Sequence, residues 1–295
     1  MNGSVTHVFK GKGGTLMEGS LRDRTAIVTG SGKRTGIGYA IAKKLASRGA
    51  RVVIADLGEL AQNGGNPLKT GTWDEMCDIA SELTDSFDVK TLAAHLDVTD
   101  PDSIAMMVEA VRKTFGAVDI LCNNAGASFG VPNAVISYDE EAWMRTIDVN
   151  LHGVFRVSRA VIPLMSGRPA SIINTASRAG KKPPLFNGAY AVAKAGVIML
   201  TKVMALECGG MGIRVNAVCP GQISTDLEKW RFGLEAQFYG TTVEERERLM
   251  CETIPLGRIG TPEEVGDLVA WLASDESSYV TGQAVNITGG QLMEL

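Results

Sequence analysis

Six short apolar runs separated by helical patterns limit this chain's fold more than any other feature. They are RTAIVTG (24–30), ARVVIAD (50–56), KTLAAHLDVTD (90–100), VDILCNNAG (118–126), ASIINTAS (170–177) and IRVNAVCP (213–220). Between the first two, GYAIAKKLASRG carries helical periodicity and stops at Gly49. Helical segments lie between most of the others. Apolar strands alternating with helices predict an α/β fold: a doubly wound, mostly parallel sheet with helices on both faces and right-handed crossovers. No internal repeat and no linker divides the chain, so one domain is expected over residues 21–295.

With 295 residues and 45% apolar content, the chain can bury a core of that size. A net charge of −4 and a pI near 5.5 leave no electrostatic footprint for nucleic acid or an anionic membrane surface. The five cysteines (Cys77, Cys122, Cys208, Cys219 and Cys251) are odd in number and lack metal-ligand spacing. They predict neither a disulfide framework nor a metal site, and a reducing, cytoplasmic setting fits them. The Gly-rich start, MNGSVTHVFKGKGGTLMEGS, reads as a flexible N-terminal extension (1–20) and not as a signal peptide. No charge-free apolar run reaches the length of about 18 residues that a membrane span needs.

The strand-to-helix junction IVTGSGKRTGIG (27–38) has the makings of a phosphate-binding loop. Glycines after a strand turn the chain tightly, let a pyrophosphate approach and bring the helix close to the sheet. The helix N-terminus then offers N–H groups to the anion. The spacing is unusual. Counted from Gly32 the pattern is Gly32, Gly36, Gly38; counted from Gly30 it holds two extra residues. Either Gly30–Ser31 is an added turn, or the loop bulges at Lys33–Arg34. An ordinary strand-to-helix turn would look much the same, so Asp56 matters. It ends the second strand, 18 residues after Gly38. A carboxylate there can accept hydrogen bonds from both hydroxyls of an adenosine ribose and repels a 2′-phosphate, which favours NAD over NADP. Lys33 and Arg34 pull the other way. Asp56 weighs more because the strand end fixes its place.

At this point the chain resembles the short-chain dehydrogenase/reductase family in its classical form. The resemblance is carried by TGSGKRTGIG (29–38), NNAG (123–126), Asn150, Ser177, YAVAK (190–194) and PGQIST (220–225). The tail GRIGTPEEVGDLVAWLASDESSYVTGQAVNITGG (257–290) extends it, so that it covers residues 21–292. A tyrosine with a lysine four residues later is common; the same pair 13 residues after Ser177, downstream of NNAG and Asn150, is specific. The family implies a Rossmann-like fold and an enzyme that moves a hydride between a nicotinamide and a secondary alcohol or ketone.

The residue types suit that chemistry. Tyr190 and Lys194 are one helical turn apart and share a face. A nearby ammonium is expected to lower the tyrosine pKa from near 10, so that Tyr190 can act as general base or acid. Ser177 would hydrogen-bond the substrate oxygen. By resemblance, Lys194 also binds the nicotinamide ribose and Asn150 holds a water on a proton relay. The resemblance assigns the cofactor to Gly30, Gly32, Gly36, Ile37 and Gly38 in the loop, and to Asp56. It adds Asp97 and Val98 at the adenine, Asn123, Ala125 and Gly126 along the groove, and Pro220, Gly221, Ile223 and Thr225 at the nicotinamide. His7, His95 and His152 are scattered and receive no role. Lys181–Lys182 reads as a surface pair, and Cys122 and Cys219 as buried packing residues.

Two stretches depart from a compact family member. Asp56 and Asp97 are 41 residues apart, and the surplus includes a loop insertion near 58–76. The region near 224–255, where the family has its mobile substrate lid, holds Trp230, Phe232, Phe238 and Tyr239. These aromatics suggest an apolar or cyclic substrate (steroid, terpenoid or cyclic alcohol), unless they simply pack the lid. The segments 151–165 and 195–209 are apolar on more than one face and need cover on both sides. The family supplies it through a four-helix interface in dimers or tetramers, so a homotetramer is expected, with a dimer as the alternative. The alternatives are NADPH-dependent carbonyl reduction and, less favoured, a non-catalytic nucleotide-sensing protein.

Overall fold

The computed structural model describes residues 6–10, 21–58 and 70–294. Its strands are β1 (Thr6–Phe9), β2 (Thr25–Thr29), β3 (Arg51–Asp56), β4 (Thr91–His95), β5 (Ile120–Asn123), β6 (Ala170–Thr175), β7 (Ile213–Pro220) and β8 (Ala284–Ile287). Its helices are α1 (Ile37–Ser47), α2 (Trp73–Phe87), α3 (Pro101–Phe115), α4 (Glu140–Ile147), α5 (Gly153–Met165), α6 (Gly188–Cys208), α7 (Asp226–Tyr239), α8 (Val243–Glu252) and α9 (Pro262–Ala273). All six expected strands are present. They lie in one sheet ordered β1-β4-β3-β2-β5-β6-β7-β8, parallel except where β1 runs antiparallel to β4.

Strand parity explains the layers. Val28, Val52, Ile54, Ile120, Cys122 and Val218 face α1, α2 and α9. Their neighbours Ile27, Val53, Ala55, Leu121, Ile172 and Val215 face α3, α5 and α6. Both faces are covered, which is why the central strands read as unbroken apolar runs rather than alternating ones. The strand order reverses at β2, whose neighbours are β3 and β5. A crevice therefore opens there at the carboxyl ends of the strands.

Three expectations need correction. Within the stretch read as a flexible extension, Thr6–Phe9 forms the edge strand β1, in register from Thr6 opposite Ala94 to Phe9 opposite Thr91. Four half-exposed residues carry no strand signal of their own; the open edge of β4 recruits them. In the 58–76 insertion, residues 59–69 lie outside the described residues. Trp73–Met76 is not loop but the first turn of α2, started by Thr72, whose hydroxyl accepts from Glu75 N at 3.1 Å. Lys181 is not a surface residue: its side chain is 11% exposed, and its ammonium donates to Ala284 O at 2.7 Å and pairs with Glu294. All five cysteines are free. By length and composition α6 could cross a bilayer, but here it packs along β7 with Val197 and the buried Lys194 turned inward.

Candidate active site

The glycine loop answers its spacing question locally. Gly30 N donates to Ala55 O at 2.8 Å, and Ser31 Oγ donates to Val28 O at 2.7 Å, so both stay tied to the sheet. The extra residues form a tight turn further on, closed by Gly36 N donating to Lys33 O at 3.1 Å. The loop thus bulges at Lys33–Arg34. Helix α1 then starts at Gly36 with no side-chain cap and no acidic residue in its first turn, whereas α2, α3, α4, α7, α8 and α9 all have both. Uncapped N–H groups at a helix start suit an anion. The loop and helix can close only because Gly38 has no side chain: a Cβ there would overlap Gly30 O and lie 2.6 Å from Asn124 Nδ2.

Asp56 stands at the head of the crevice. Its Oδ2 accepts from Gly32 N and its Oδ1 from Leu57 N, both at 2.8 Å. Burial raises its pKa, and these two N–H groups oppose the rise. Each oxygen keeps a lone pair for a ribose hydroxyl. Arg34 faces away. Its guanidinium is ion-paired with Glu82 on α2 and lies 5.8 Å from the Tyr39 ring centre, and Tyr39 OH bonds the same carboxylate at 2.8 Å. Lys33 pairs with Asp226 Oδ2 at 2.6 Å, and Thr35 Oγ1 donates to that oxygen at 2.8 Å. Helix α7 is thereby tied to the glycine loop.

A cavity of about 660 Å³ runs along the strand ends from this loop to Tyr190 and Lys194. Gly30, Gly36, Ile37, Asp56, Asp97, Val98, Ala125, Gly126, Tyr190, Lys194 and Thr225, all expected at the cofactor, line it. Four others do not. Asn123 is 2% exposed, and its Nδ2 donates to Ser158 Oγ and Asn174 Oδ1, each at 2.9 Å, on the opposite side of the sheet. Gly32 serves by donating to Asp56. Ile223 turns into the core at 6% exposure. Pro220 is buried, and Gly221 N is bonded to Ile287 O at 2.9 Å, so both stand behind the wall that Thr225 lines.

Other residues, unforeseen in the sequence, fill these places. Asn124 clamps the glycine loop through Nδ2 donating to Thr29 O and Gly30 O, each at 3.0 Å. Thr29 Oγ1 accepts from Asn124 N and Ala125 N. Leu57, Thr70, Arg145 and Leu227 join the lining. Strand alternation was the available signal: Cys122 and Asn123 must face opposite sides, which leaves Asn124 at the groove.

At the far end, Asn150 is completely buried in a π-helical turn, Asp148–His152, in which Gly153 N reaches five residues back to Asp148 O. Its Nδ2 donates to Thr146 O at 2.8 Å and Ala127 O at 2.5 Å, while its Oδ1 has no partner. A Cβ on Gly126 would lie 2.8 Å from that oxygen and 3.6 Å from Lys194 Nζ, so the two groups border one small space. Lys194 is 3% exposed and donates to Thr175 O at 2.8 Å, and burial lowers its pKa to about 8. The Ser177 side chain favours the Tyr190 phenolate, yet burial outweighs this and holds the Tyr190 pKa above its ordinary value. The expected lowering by Lys194 is absent here because the ammonium sits over the ring, 5.5 Å from its centre, and is bonded to a carbonyl.

The aromatics of α7 do not reach the cavity. Phe232 is 1% exposed and packed inward. Phe238 and Tyr239 stack edge to face at 5.0 Å on the outer end of α7, with Phe238 78% exposed. Trp230 is half-buried and also outside the lining, so none of the four aromatics lines the cavity.

A family model described as enoyl-(acyl carrier protein) reductase matches residues 30–291. A 3-oxoacyl-[acyl-carrier-protein] reductase of Vibrio cholerae is 36% identical over 275 residues, 93% of this chain and 99% of that one. The chain belongs to the short-chain dehydrogenase/reductase family. Carveol dehydrogenase from Mycobacterium avium, solved with NAD, superposes with a TM-score of 0.86 at 28% identity, over 94% of this chain and all of that one. L-sorbose reductase from Gluconobacter frateurii, solved with NADPH and L-sorbose, superposes at 0.82 and 29%, over 95% of this chain and all of that one. As a short-chain dehydrogenase/reductase, the protein is an NAD(P)-dependent oxidoreductase acting on CH–OH and C=O groups.

Proposed function

We propose that this short-chain dehydrogenase/reductase uses NAD(H) to interconvert a secondary alcohol and its ketone, with Tyr190 as the proton-transfer group. The observation that carries this reading is the continuous cavity joining Asp56 at one end to Tyr190 and Lys194 at the other. The uncapped start of α1, the close approach at Gly38 and the unpartnered Asn150 oxygen all fit a dinucleotide. The glycine loop and Asp56 would hold its adenosine and pyrophosphate, Asp97 and Val98 its adenine, and Lys194 and Thr225 its nicotinamide end. When bound, the nicotinamide supplies or accepts the hydride. Tyr190 exchanges the proton with the substrate oxygen, Ser177 bonds that oxygen, and Lys194 with Asn150 supports a bridging water that returns the proton.

Among the known relatives, one was solved with NAD and another with NADPH, so the choice rests on this chain's own residues. Asp56 presents a carboxylate, and Arg34 is held by Glu82. Asp56→Ala should therefore weaken NADH binding and shift the NADH/NADPH affinity ratio toward NADPH by about tenfold or more, as loss of a charged hydrogen-bond partner warrants. Fluorescence titration with both reduced cofactors reads this out, and an unchanged ratio would place the preference elsewhere. Asp226→Asn weakens the tie of α7 to Lys33 and Thr35. It should speed NADH release several-fold in stopped-flow with little change in thermal stability, since exposed pairs contribute only about 0–1 kcal/mol.

The reading also includes a homotetramer in the cytoplasm. Phe155 on α5 and Val192, Met199 and Leu206 on α6 are exposed apolar side chains, with Leu206 at 86%. Such residues suit helix-to-helix cover by another copy, which sedimentation would detect.

A further inference from the structure

Helix α2 holds the bulge of the glycine loop by two carboxylates. The Arg34 backbone N–H donates to Glu75 Oε1 at 3.1 Å, and the Arg34 guanidinium is paired with Glu82. The other Glu82 oxygen accepts from Tyr39 OH at 2.8 Å, so α1 fixes this carboxylate from its far side. The Tyr39 ring also lies beside the guanidinium, 5.8 Å from its carbon. Glu75 and Glu82 stand two turns apart on α2 and share the face that meets the loop.

The start of α2 is also set against the ribose end of the cavity. A Cβ on Gly71 would overlap Gly32 O and lie 3.3 Å from Glu75 Oε2. A Cβ on Gly32 would lie 3.1 Å from Asp56 Oδ2. Glu75, Gly71, Gly32 and Asp56 therefore form one continuous run of contacts. Gly32 donates to Asp56, and Arg34 follows two residues later. Two residues span at most about 7 Å, a gap that an arginine side chain crosses. Arg34 is thus rooted within reach of a phosphate at the ribose 2′ position, and a guanidinium is well suited to bind one. It points to Glu82 instead, and Glu82 holds its pKa above the ordinary arginine range. A 2′-phosphate would have to draw Arg34 from this partner while approaching Glu75 as well as Asp56.

We propose that Glu82 and Glu75 are cofactor-specificity residues: they turn Arg34 away from the adenosine ribose, so that helix α2 as well as Asp56 sets the preference for NAD(H). This rests on the NAD(H)-linked function proposed above. Both act through Arg34 and are positioning residues, not cofactor contacts.

The test is fluorescence titration of the full-length protein with NADH and with NADPH. Glu82→Gln should tighten NADPH binding by about fivefold, the upper end for a partly exposed ion pair, with NADH affinity and Tm near those of the parent. Glu75→Gln keeps an acceptor for the Arg34 N–H and loses the charge, so it should act in the same direction by a smaller factor. Arg34→Ala alone should leave the NADH/NADPH ratio near the parent's, because Arg34 is already held off. Added to Glu82→Gln, it should cancel the gain. That cycle separates an effect carried by Arg34 from loss of a carboxylate charge or loosening of the loop. Unchanged NADPH affinity in Glu82→Gln overturns the proposal. So does a gain that survives Arg34→Ala, and so does an equal loss of affinity for both cofactors. A wild type that favours NADPH or binds neither cofactor would defeat the proposed function and this inference together. A wild type that favours NADH, with no change in Glu82→Gln, would defeat the role of α2 alone.

Discussion

Tyr190→Phe should lower turnover by about 10²–10⁴-fold, the range contributed by a positioned acid–base group, while NADH affinity stays near that of the parent. The substitution removes one hydroxyl and leaves the ring, its packing and its position over Lys194. Ser177 keeps the turn in which it accepts from Ala179 N at 3.1 Å. Because burial holds the Tyr190 pKa up in the cofactor-free chain, the phenol carries its proton at neutral pH there. It is poised as an acid toward a ketone, and it needs help to act as a base toward an alcohol. Rapid-mixing turnover and fluorescence titration on the same preparation separate the two quantities. Turnover close to the parent's would mean that another group moves the proton.

Gly38→Ala should produce the largest loss of stability among the loop positions. A Cβ there meets backbone, the Gly30 carbonyl, and not the movable end of a side chain. Either α1 moves off the sheet or the glycine loop opens. Overpacking of this kind costs about 1–3 kcal/mol and occasionally more. At the upper end, a change of about 3 kcal/mol corresponds to a fall in Tm of about 6–12 °C for a domain of roughly this size. NADH binding should weaken along with it, because the displaced atoms are those that would cradle the phosphates. Gly233→Ala on α7 is the control: a Cβ there meets nothing within 4 Å. Alanine should be neutral there, or favourable by about 0.5–1 kcal/mol from helix propensity. Equal melting temperatures for the two variants would show that the close approach at Gly38 is not what limits residue size.

Much of the site is legible in the amino-acid sequence, for two reasons. Strand ends can be recognised from the apolar runs, which puts Asp56, Asp97 and the NNAG segment at the mouth of the sheet. The Tyr190–Lys194 spacing is one helical turn, and any helix through that segment puts both on one face. What escaped was orientation. Asn123 and Asn124 are adjacent and chemically identical, and only strand parity sends the first to Ser158 and Asn174 and the second to the glycine loop. Ile223 follows PG at the end of β7, yet it fills the core while Thr225 two residues on lines the groove. The placement of the α7 aromatics escaped for a similar reason: an aromatic-rich helix gives no sign of which face meets the cavity.

The sequence by itself determined the alternation of strands and helices, the parallel sheet and the spacing that puts Tyr190 and Lys194 on one face of a helix. Each of these follows from local periodicity or from short-range spacing. Tertiary structure alone decided the direction of Arg34, which Glu82 on α2 pulls from the crevice across 48 positions of chain. It decided that Asp226 ties α7 to the glycine loop, that β4 recruits Thr6–Phe9, and that Asn150 sits in a π-helical turn with one oxygen unpartnered. It also decided the protonation of the site, because burial of Tyr190 and Lys194 outweighs the attraction their spacing suggests. These outcomes depend on groups far apart in the chain competing for the same partner or the same space, and no local pattern records which of them wins.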